Sequence, residues 1–273
     1  PKLKTFLRKF LSLGYYYIVY QFIRSKYEQT RDSKLLKPGI SAVVAAKNED
    51  ILIKYCLESL IGFADQIICI DNGSDDGTLK IMQNFSQENK DKIDISVISM
   101  PGALLGDCRE MGLKKTKYQW HLRWDADMVF KTSGEEMSKG LREKAMSCSK
   151  PIAFQLPRTN LFGDFKHTSK VYDIIDPGEP ILIRFAKNIK YVEHGRFDII
   201  KLPFYYKTIK EKKRYYHHFD GVKPDLRLMY RNCYFDWREQ YNQDTDSNHQ
   251  YKTQDFDTFQ KAWQMERYQT NDS

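Results

Sequence analysis

Two carboxylates, Asp125 and Asp127, close the run Trp120-His121-Leu122-Arg123-Trp124-Asp125-Ala126-Asp127. Apolar residues at Trp120, Leu122 and Trp124 alternate with the period of a strand, so the pair stands at a strand's end and projects to one side of it. Carboxylates so placed suit a hard divalent cation, Mg²⁺ or Mn²⁺. Such an ion takes oxygen ligands, is held by one or two protein carboxylates, and completes its shell with water and substrate phosphate oxygens. The D-x-D spelling recurs at Asp244 and Asp246 and at Asp255 and Asp257, but in a polar stretch with no strand ahead of it. Those copies read as solvated surface, because context decides what a short motif means.

The elements that would position this pair alternate along the chain. After the turn Lys37-Pro38-Gly39, Ile40 to Ala46 is a short apolar run and reads as a buried strand. Lys47-Asn48-Glu49-Asp50 then opens a helix with apolar positions at Ile51, Leu52, Tyr55, Cys56 and Leu60, Asn48 or Asp50 serving as its N-cap. Gln66 to Ile70 is a second strand, which ends in the turn-rich loop Asp71 to Thr78 before a helix through Leu79, Ile81, Met82 and Phe85. Ile93 to Ser99, a helix from Leu104 to Lys115, and the Trp120 strand continue the rhythm. The pattern predicts a mostly parallel sheet with helices on both faces and ligand binding at the carboxyl ends of the strands. Glu49, Asp71, Asp76 and Asp125 to Asp127 all follow strands and should converge on one crevice there.

Composition narrows the class. The 273 residues, 41% hydrophobic and 29% charged, are those of an ordinary soluble chain able to bury one substantial core. The five cysteines form no C-x-x-C pair, which favours a reducing compartment over a disulfide or zinc framework; Cys56 and Cys69 read as core. The net charge of +8 is concentrated at one end. Residues 1–37 hold nine basic and two acidic residues, 9 − 2 = +7, which leaves +1 for everything after them. That distribution argues against a nucleic-acid-binding face. In the same arm, Leu3, Phe6, Leu7, Phe10 and Leu11 line one helix face among lysines and arginines. Tyr15 to Phe22 is aromatic but too short and polar to span a bilayer. The arm reads as a basic amphipathic helix that either lies on an anionic membrane through residues 1–36 or packs on the body. No cleavage pattern of small residues follows it, so the expected location is cytoplasmic, peripheral on the membrane's cytoplasmic face.

Four segments together carry a resemblance: S-A-V-V-A-A-K-N-E-D (41–50), I-D-N-G-S-D-D-G-T (70–78), G-D-C-R-E-M-G-L (106–113) and W-D-A-D (124–127). Their order and spacing resemble the successive motifs of family 2 glycosyltransferases. The resemblance implies a GT-A fold, a Rossmann-like mixed α/β sheet flanked by helices, here with a helical N-terminal arm and a helical C-terminal tail. By resemblance, Ala45, Ala46, Asn48, Glu49, Asp71, Asn72 and Gly73 hold the nucleotide. Arg109 lies near the phosphates or donor sugar, and Trp124, Asp125, Ala126 and Asp127 form the D-x-D that meets ribose, sugar and metal. Position 72 departs from the family pattern, in which an acidic residue is frequent.

On the acceptor side, a helix from Ser133 to Met146, a strand from Pro151 to Leu156, a loop-rich stretch over 157–180 and strands near 180–188 and 191–195 are expected. An inverting transfer needs a carboxylate on the acceptor hydroxyl. Glu193 is the first candidate and Asp198 the second, with Asp173 and Asp176 as alternatives. By resemblance, His218, ahead of Lys223-Pro224, supplies a third metal ligand beside Asp127. An imidazole favours Mn²⁺ over Mg²⁺. Lys223, Arg227 and Arg231 either steady the diphosphate or form a solvated helix face. The expected organisation is an arm (1–37), a catalytic body (38–235, divided at 130 into nucleotide-sugar and acceptor halves) and a tail (236–273). The expected activity is inverting transfer from a nucleoside-diphosphate sugar, a UDP-sugar, to a glycan or lipid-linked hydroxyl. One rival, a sugar-phosphate nucleotidyltransferase, calls for a Gly-rich basic loop after the first strand, where this chain has Ala45-Ala46-Lys47-Asn48-Glu49. The other is a noncatalytic membrane-surface adapter.

Overall fold

The computed structural model describes residues 36–131, 135–168, 178–186, 188–194 and 197–246, with Tyr15, Ile18, Val19, Phe22 and Phe259 as isolated positions. The amphipathic pattern of residues 3–11, Asp173, Asp176, the Glu193 side chain and the Asp255 copy of D-x-D lie outside the described residues.

The chain runs β1 (Lys37–Ala46), α1 (Ile53–Leu60), β2 (Gln66–Asp71), α2 (Thr78–Glu88), β3 (Asp94–Ser99), α3 (Leu105–Lys114) and β4 (Tyr118–Asp125). It continues through β5 (Met128–Phe130), α4 (Glu135–Ser147), β6 (Ile152–Leu156), β7 (Thr159–Phe162) and β8 (Glu179–Arg184). Then follow β9 (Lys190–His194), β10 (Phe197–Lys201), β11 (Lys207–Lys210), β12 (Tyr216–Gly221) and α5 (Asp225–Asp246). A seven-stranded mixed sheet has the order β11-β6-β8-β4-β1-β2-β3. Strands β1 to β4 pair in parallel, and β8 runs antiparallel between β4 and β6. A hairpin, β9 with β10, and a three-stranded sheet, β5-β12-β7, complete the described strands. Helix α5 runs across position 235, where the sequence pattern divides body from tail.

The central strands are buried on both faces. On β1, Ala42, Val44 and Ala46 join the large cluster with α1, α2 and α4, while Val43 and Ala45 face Cys108 of α3. Gly112 permits that second contact: a Cβ there would lie 2.2 Å from Val43 Cγ1, so α3 seats on β1 only without one. On β4, Trp120, Leu122 and Trp124 enter the large cluster, and the intervening His121 and Arg123 are also buried. Alternation on a central strand thus separates two interiors rather than interior from solvent.

Helix α1 is shorter than its sequence pattern suggests. Glu49 O accepts from the N–H groups of Leu52 at 3.1 Å and Ile53 at 2.9 Å, so the Lys47–Leu52 segment is a turn that feeds the helix. The buried face is Leu52, Ile53, Cys56, Leu57 and Leu60, whereas Ile51 and Tyr55 are exposed. Among the described residues, no helix is long and apolar enough to cross a membrane.

Candidate active site

The D-x-D turn is fixed from below. Trp124 stacks on Phe130 with centroids 4.4 Å apart, and its Nε1 donates to Met128 O at 2.9 Å, closing the turn that displays Asp125 and Asp127. Strand β12 then brings in the histidine. His218 lies opposite Met128 of β5 in the antiparallel ladder and opposite Asn160 of β7 in the parallel one. Phe219 N–H donates to Asp127 O at 3.0 Å. One ligand atom from each of Asp125, Asp127 and His218 falls within 4.8 Å of the others. His218 Nε2 is 3.5 Å from Asp127 Oδ1, and Nδ1 is 3.0 Å from Asn160 Oδ1. Because that amide oxygen only accepts, Nδ1 carries the hydrogen and Nε2 is left toward the carboxylates, the tautomer a metal ligand needs. Two carboxylates and one oriented imidazole fit a divalent cation, and the nitrogen favours Mn²⁺.

A lysine shares the carboxylates. Lys223 Nζ, at the start of the α5 segment, meets Glu49 Oε1 at 2.5 Å and Asp127 Oδ2 at 2.8 Å, with Asp220 Oδ1 at 3.8 Å. Burial opposes ionisation of Asp127, but Lys223 and His218 outweigh it and hold that carboxyl well below its usual range. Burial likewise lowers the His218 pKa, and Asp127 reverses the sign, so the imidazole is raised. At Glu49 burial prevails over the Lys223 ammonium and pushes the carboxyl up to about 7. One turn further along α5, Arg227 pairs with Asp50 and Asp76, each at 2.6 Å, and donates to Asn48 O. The helix is thereby tied to the loops after β1 and β2.

Those loops are locked to each other. Asn48 has φ 57°, in the left-handed region that asparagine tolerates better than most residues. Its N–H donates to Ser74 Oγ at 2.9 Å, and its Oδ1 accepts from Asp75 N–H at 3.0 Å. Asp71 Oδ2 accepts from Gly73 N–H at 3.1 Å and Ser74 N–H at 3.2 Å, and Asn72 N–H donates to Ala46 O at 2.9 Å. Gly73, at φ 71°, makes the turn, and Asn72 Oδ1 is buried with no hydrogen-bond partner among the described residues. Ala45 and Ala46 are buried at the end of β1 beside this loop.

Beneath the D-x-D lies a buried charge cluster. Arg109 of α3, expected near the phosphates or donor sugar, is 1% exposed and lies against the D-x-D strand. Its Nη2 binds Asp125 Oδ1, and its Nε is 2.8 Å from Asp198 Oδ2 as an ion pair out of line for a hydrogen bond. Arg123 Nε is 3.5 Å from the same Asp198 oxygen, and its Nη1 binds Glu179, which Arg158 approaches at 3.6 Å. Burial opposes Asp125 ionisation, yet Arg109 and then Arg123 keep its carboxyl lowered. The side chain of Asp198, the second base candidate, is 2% exposed and lies under these two guanidinium groups. Its ladder partner in the hairpin is Glu193.

The fold therefore brings together Glu49, Asp125, Asp127, His218 and Lys223, sets Asp71, Asn72, Gly73 and Asn48 in one interlocked loop pair, and places Arg109 and Asp198 underneath. Arg123, Asn160 and Glu179 escaped the sequence reading. Arg123 left a signal, as a cation in the middle of a buried-strand pattern; Asn160 and Glu179 left none, because only strand pairing gives them their neighbours.

The family model described as Glycosyl transferase family 2 matches residues 41–141. No curated protein sequence matches the chain. Among solved structures, S. aureus TarS 1–349 is similar at 14% identity over 79% of this chain and 75% of that one, with a TM-score of 0.44. The same fragment in complex with UDP-GlcNAc is similar at 14% identity over 82% and 71%, with a TM-score of 0.44. Glucosyl-3-phosphoglycerate synthase from Mycobacterium tuberculosis, in complex with Mn²⁺, UDP-glucose and phosphoglyceric acid, is similar at 24% identity over 34% of each chain, with a TM-score of 0.27.

Proposed function

We propose that this chain, whose residues 41–141 match the model of glycosyl transferase family 2, is an inverting, metal-dependent glycosyltransferase of GT-A fold that uses a UDP-sugar. The acceptor is a hydroxyl of a glycan or lipid-linked glycan. The observation that carries the reading is the convergence of Asp125, Asp127 and an Asn160-oriented His218 at the carboxyl ends of the strands. Asp125, Asp127 and His218 would hold a divalent cation, which would supply Lewis-acid neutralisation of the leaving diphosphate.

The chain's own groups do the rest. The locked loops after β1 and β2 form the nucleotide cradle, and the unpartnered Asn72 Oδ1 is an acceptor for a nucleobase N–H. Lys223 faces the departing diphosphate as a second cation. In the displacement, the acceptor oxygen bonds to the anomeric carbon while the carbon–oxygen bond to phosphate breaks. The diphosphate leaves with that electron pair, and the acceptor proton passes to Glu193, which stays the proposed base. The arm, residues 1–36, is proposed to hold the enzyme on the cytoplasmic face of an anionic membrane. Flotation of wild-type and arm-deleted protein with anionic liposomes checks that part, and equal binding would reject it.

The main test is release of UDP or GDP from a panel of donor sugars with Mn²⁺, Mg²⁺ or chelator. We expect UDP release supported best by Mn²⁺, and loss of several kcal/mol of transition-state stabilisation in Asp127→Ala. Wild-type turnover in that variant, or no nucleotide release from any donor, would reject the reading.

A further inference from the structure

The acceptor half of the sheet carries a concentration of positive charge that the reaction above does not use. From Lys207 to Arg214 the chain reads K-T-I-K-E-K-K-R, five basic residues against one acidic, 5 − 1 = +4. Everything after residue 37 sums to only 8 − 7 = +1, so this short stretch is far from the average of the body. Its single carboxylate is already engaged. Lys144 Nζ of α4 reaches Glu211 Oε2 at 2.9 Å, and the Tyr215 hydroxyl donates to the same oxygen at 3.3 Å. Lys207, Lys210, Lys212 and Lys213 are exposed.

Register places this charge beside the crevice. In β11, Lys210 lies opposite Gln155 of β6, while across β6 Gln155 faces Pro180 and Leu156 faces Glu179 of β8. Residues 210–213 are therefore level with Glu179, which Arg123 ties to the D-x-D strand, at the carboxyl ends of β4 and β6. Three interstrand spacings separate β11 from β4, about 14 Å. Arg214 Nη1 donates to Arg158 O at 2.6 Å, which pins the segment to the end of β6 before the chain enters β12 and reaches His218. Lysines on an edge strand also discourage edge-to-edge pairing, which accounts for Lys207 and Lys210 within β11. It does not account for Lys212 and Lys213, which lie beyond the ladder.

We propose that Lys210, Lys212 and Lys213 form an acceptor-side rim that receives a phosphate group of the acceptor while its hydroxyl reaches the crevice. The inference rests on the glycosyl-transfer reading and adds the chemical class of the acceptor. Lysine ammonium groups recognise phosphate as point charges, and exposed ones do so in a salt-sensitive manner.

The test compares the full chain with Lys212→Gln/Lys213→Gln, whose substitutions leave every β11 backbone bond in place, and with the triple variant adding Lys210→Gln. The soluble probes are glucose 6-phosphate and glucose, titrated by NMR. The lipid probes are phosphatidylcholine vesicles with and without phosphatidylglycerol, read by co-sedimentation. The rim predicts that wild type binds one phosphate-bearing probe over its neutral counterpart, and that the double variant binds it roughly tenfold or more weakly. A loss seen only with glucose 6-phosphate assigns the phosphate to the glycan, and one seen only with vesicles assigns it to a lipid headgroup. Equal binding of both phosphate probes by wild type and variants, or no binding by wild type, overturns the proposal. UDP titrated with Mn²⁺ into the same proteins separates the two readings. If wild type fails to bind UDP, the transfer reading falls, whereas UDP binding that is intact and equal in all proteins leaves the phosphate probes to decide on the rim alone.

Discussion

Replacing Lys223 by methionine tests how the crevice balances its charges. In the wild type, one ammonium stands 2.5 Å from Glu49 and 2.8 Å from Asp127 with its side chain 9% exposed. At an effective dielectric of about 20, the pair at 2.8 Å is worth roughly 6 kcal/mol, much of it cancelled by the cost of burying the ions. Removing the ammonium leaves buried Glu49 without its partner and Asp127 with His218 alone, and the expected net loss is about 3–5 kcal/mol. For a chain of this size that is a fall in melting temperature on the order of 10 °C in chelator. The loss depends on pH through Glu49, whose carboxyl is pushed up to about 7 because burial outweighs the lysine. A carboxyl raised above its unfolded value favours the folded state at low pH and penalises it as pH rises through the folded pKa. Lys223→Met removes the lysine's opposing effect, so its deficit is larger at pH 8 than at pH 6. Mn²⁺ should restore more stability to the variant than it adds to wild type, because the ion no longer competes with Nζ for Asp127. Differential scanning fluorimetry at the two pH values, with EDTA and with MnCl₂, reads all three effects. A variant that melts with wild type in EDTA, or an identical Mn²⁺ shift in both proteins, would refute the reasoning.

Three further outcomes follow from the buried groups. Asp198→Asn strips the counter-charge from Arg109 and Arg123, and as a positioning change it should lower Mn²⁺ affinity and kcat by about 10–100-fold with little change in donor KM; a pure stability loss with unchanged metal affinity would contradict this. Burial pushes the His121 pKa down to about 3, so its stabilisation is complete above the unfolded pKa and is lost as pH falls toward that value. Urea titrations between pH 6 and 4 should therefore show a steeper loss of stability in wild type than in His121→Gln, by up to about 1.4 kcal/mol per pH unit, and parallel slopes would count against it. Gly112→Ala should cost about 1–3 kcal/mol through overlap with Val43, with Val43→Ala in the same chain recovering part of the loss; additive losses would show that the contact is not the cause.

The half of the body from β1 to β4 was legible in the sequence because its information is local. Short apolar runs, turn-forming loops and one-faced helices marked β1 to β4 and the helices between them to within a few residues, and the polar clusters fell at the strand ends as the alternation required. What escaped depends on pairing across long separations. Nothing local shows that Glu179 would come level with Asp125, or that Asn160 would turn His218. The alternation along β4 marks its strand period, and the strand's central position in the sheet buries both of its faces. Arg109, which its motif places near the phosphates or donor sugar, reaches Asp125 of the central strand from α3, the helix seated on β1 at Gly112. Exposure of Tyr55 and burial of Ile53 and Leu57 follow from a helix that starts after a turn, a phase the apolar residues alone left open.

One consequence of the three-stranded sheet concerns the order in which the molecule is made. Both carboxylates of the D-x-D belong to the segment that leaves the ribosome first, while His218 arrives on β12, which must insert between β5 and β7 before its ring meets Asp127. A nascent chain that has folded only β1 to β4 still lacks His218, the Asn160 that turns it, and Lys223. The cluster is thus completed by β12, the last strand among the described residues, and a chain stopped short of Tyr216 keeps residues 41–141 but lacks His218 and Lys223.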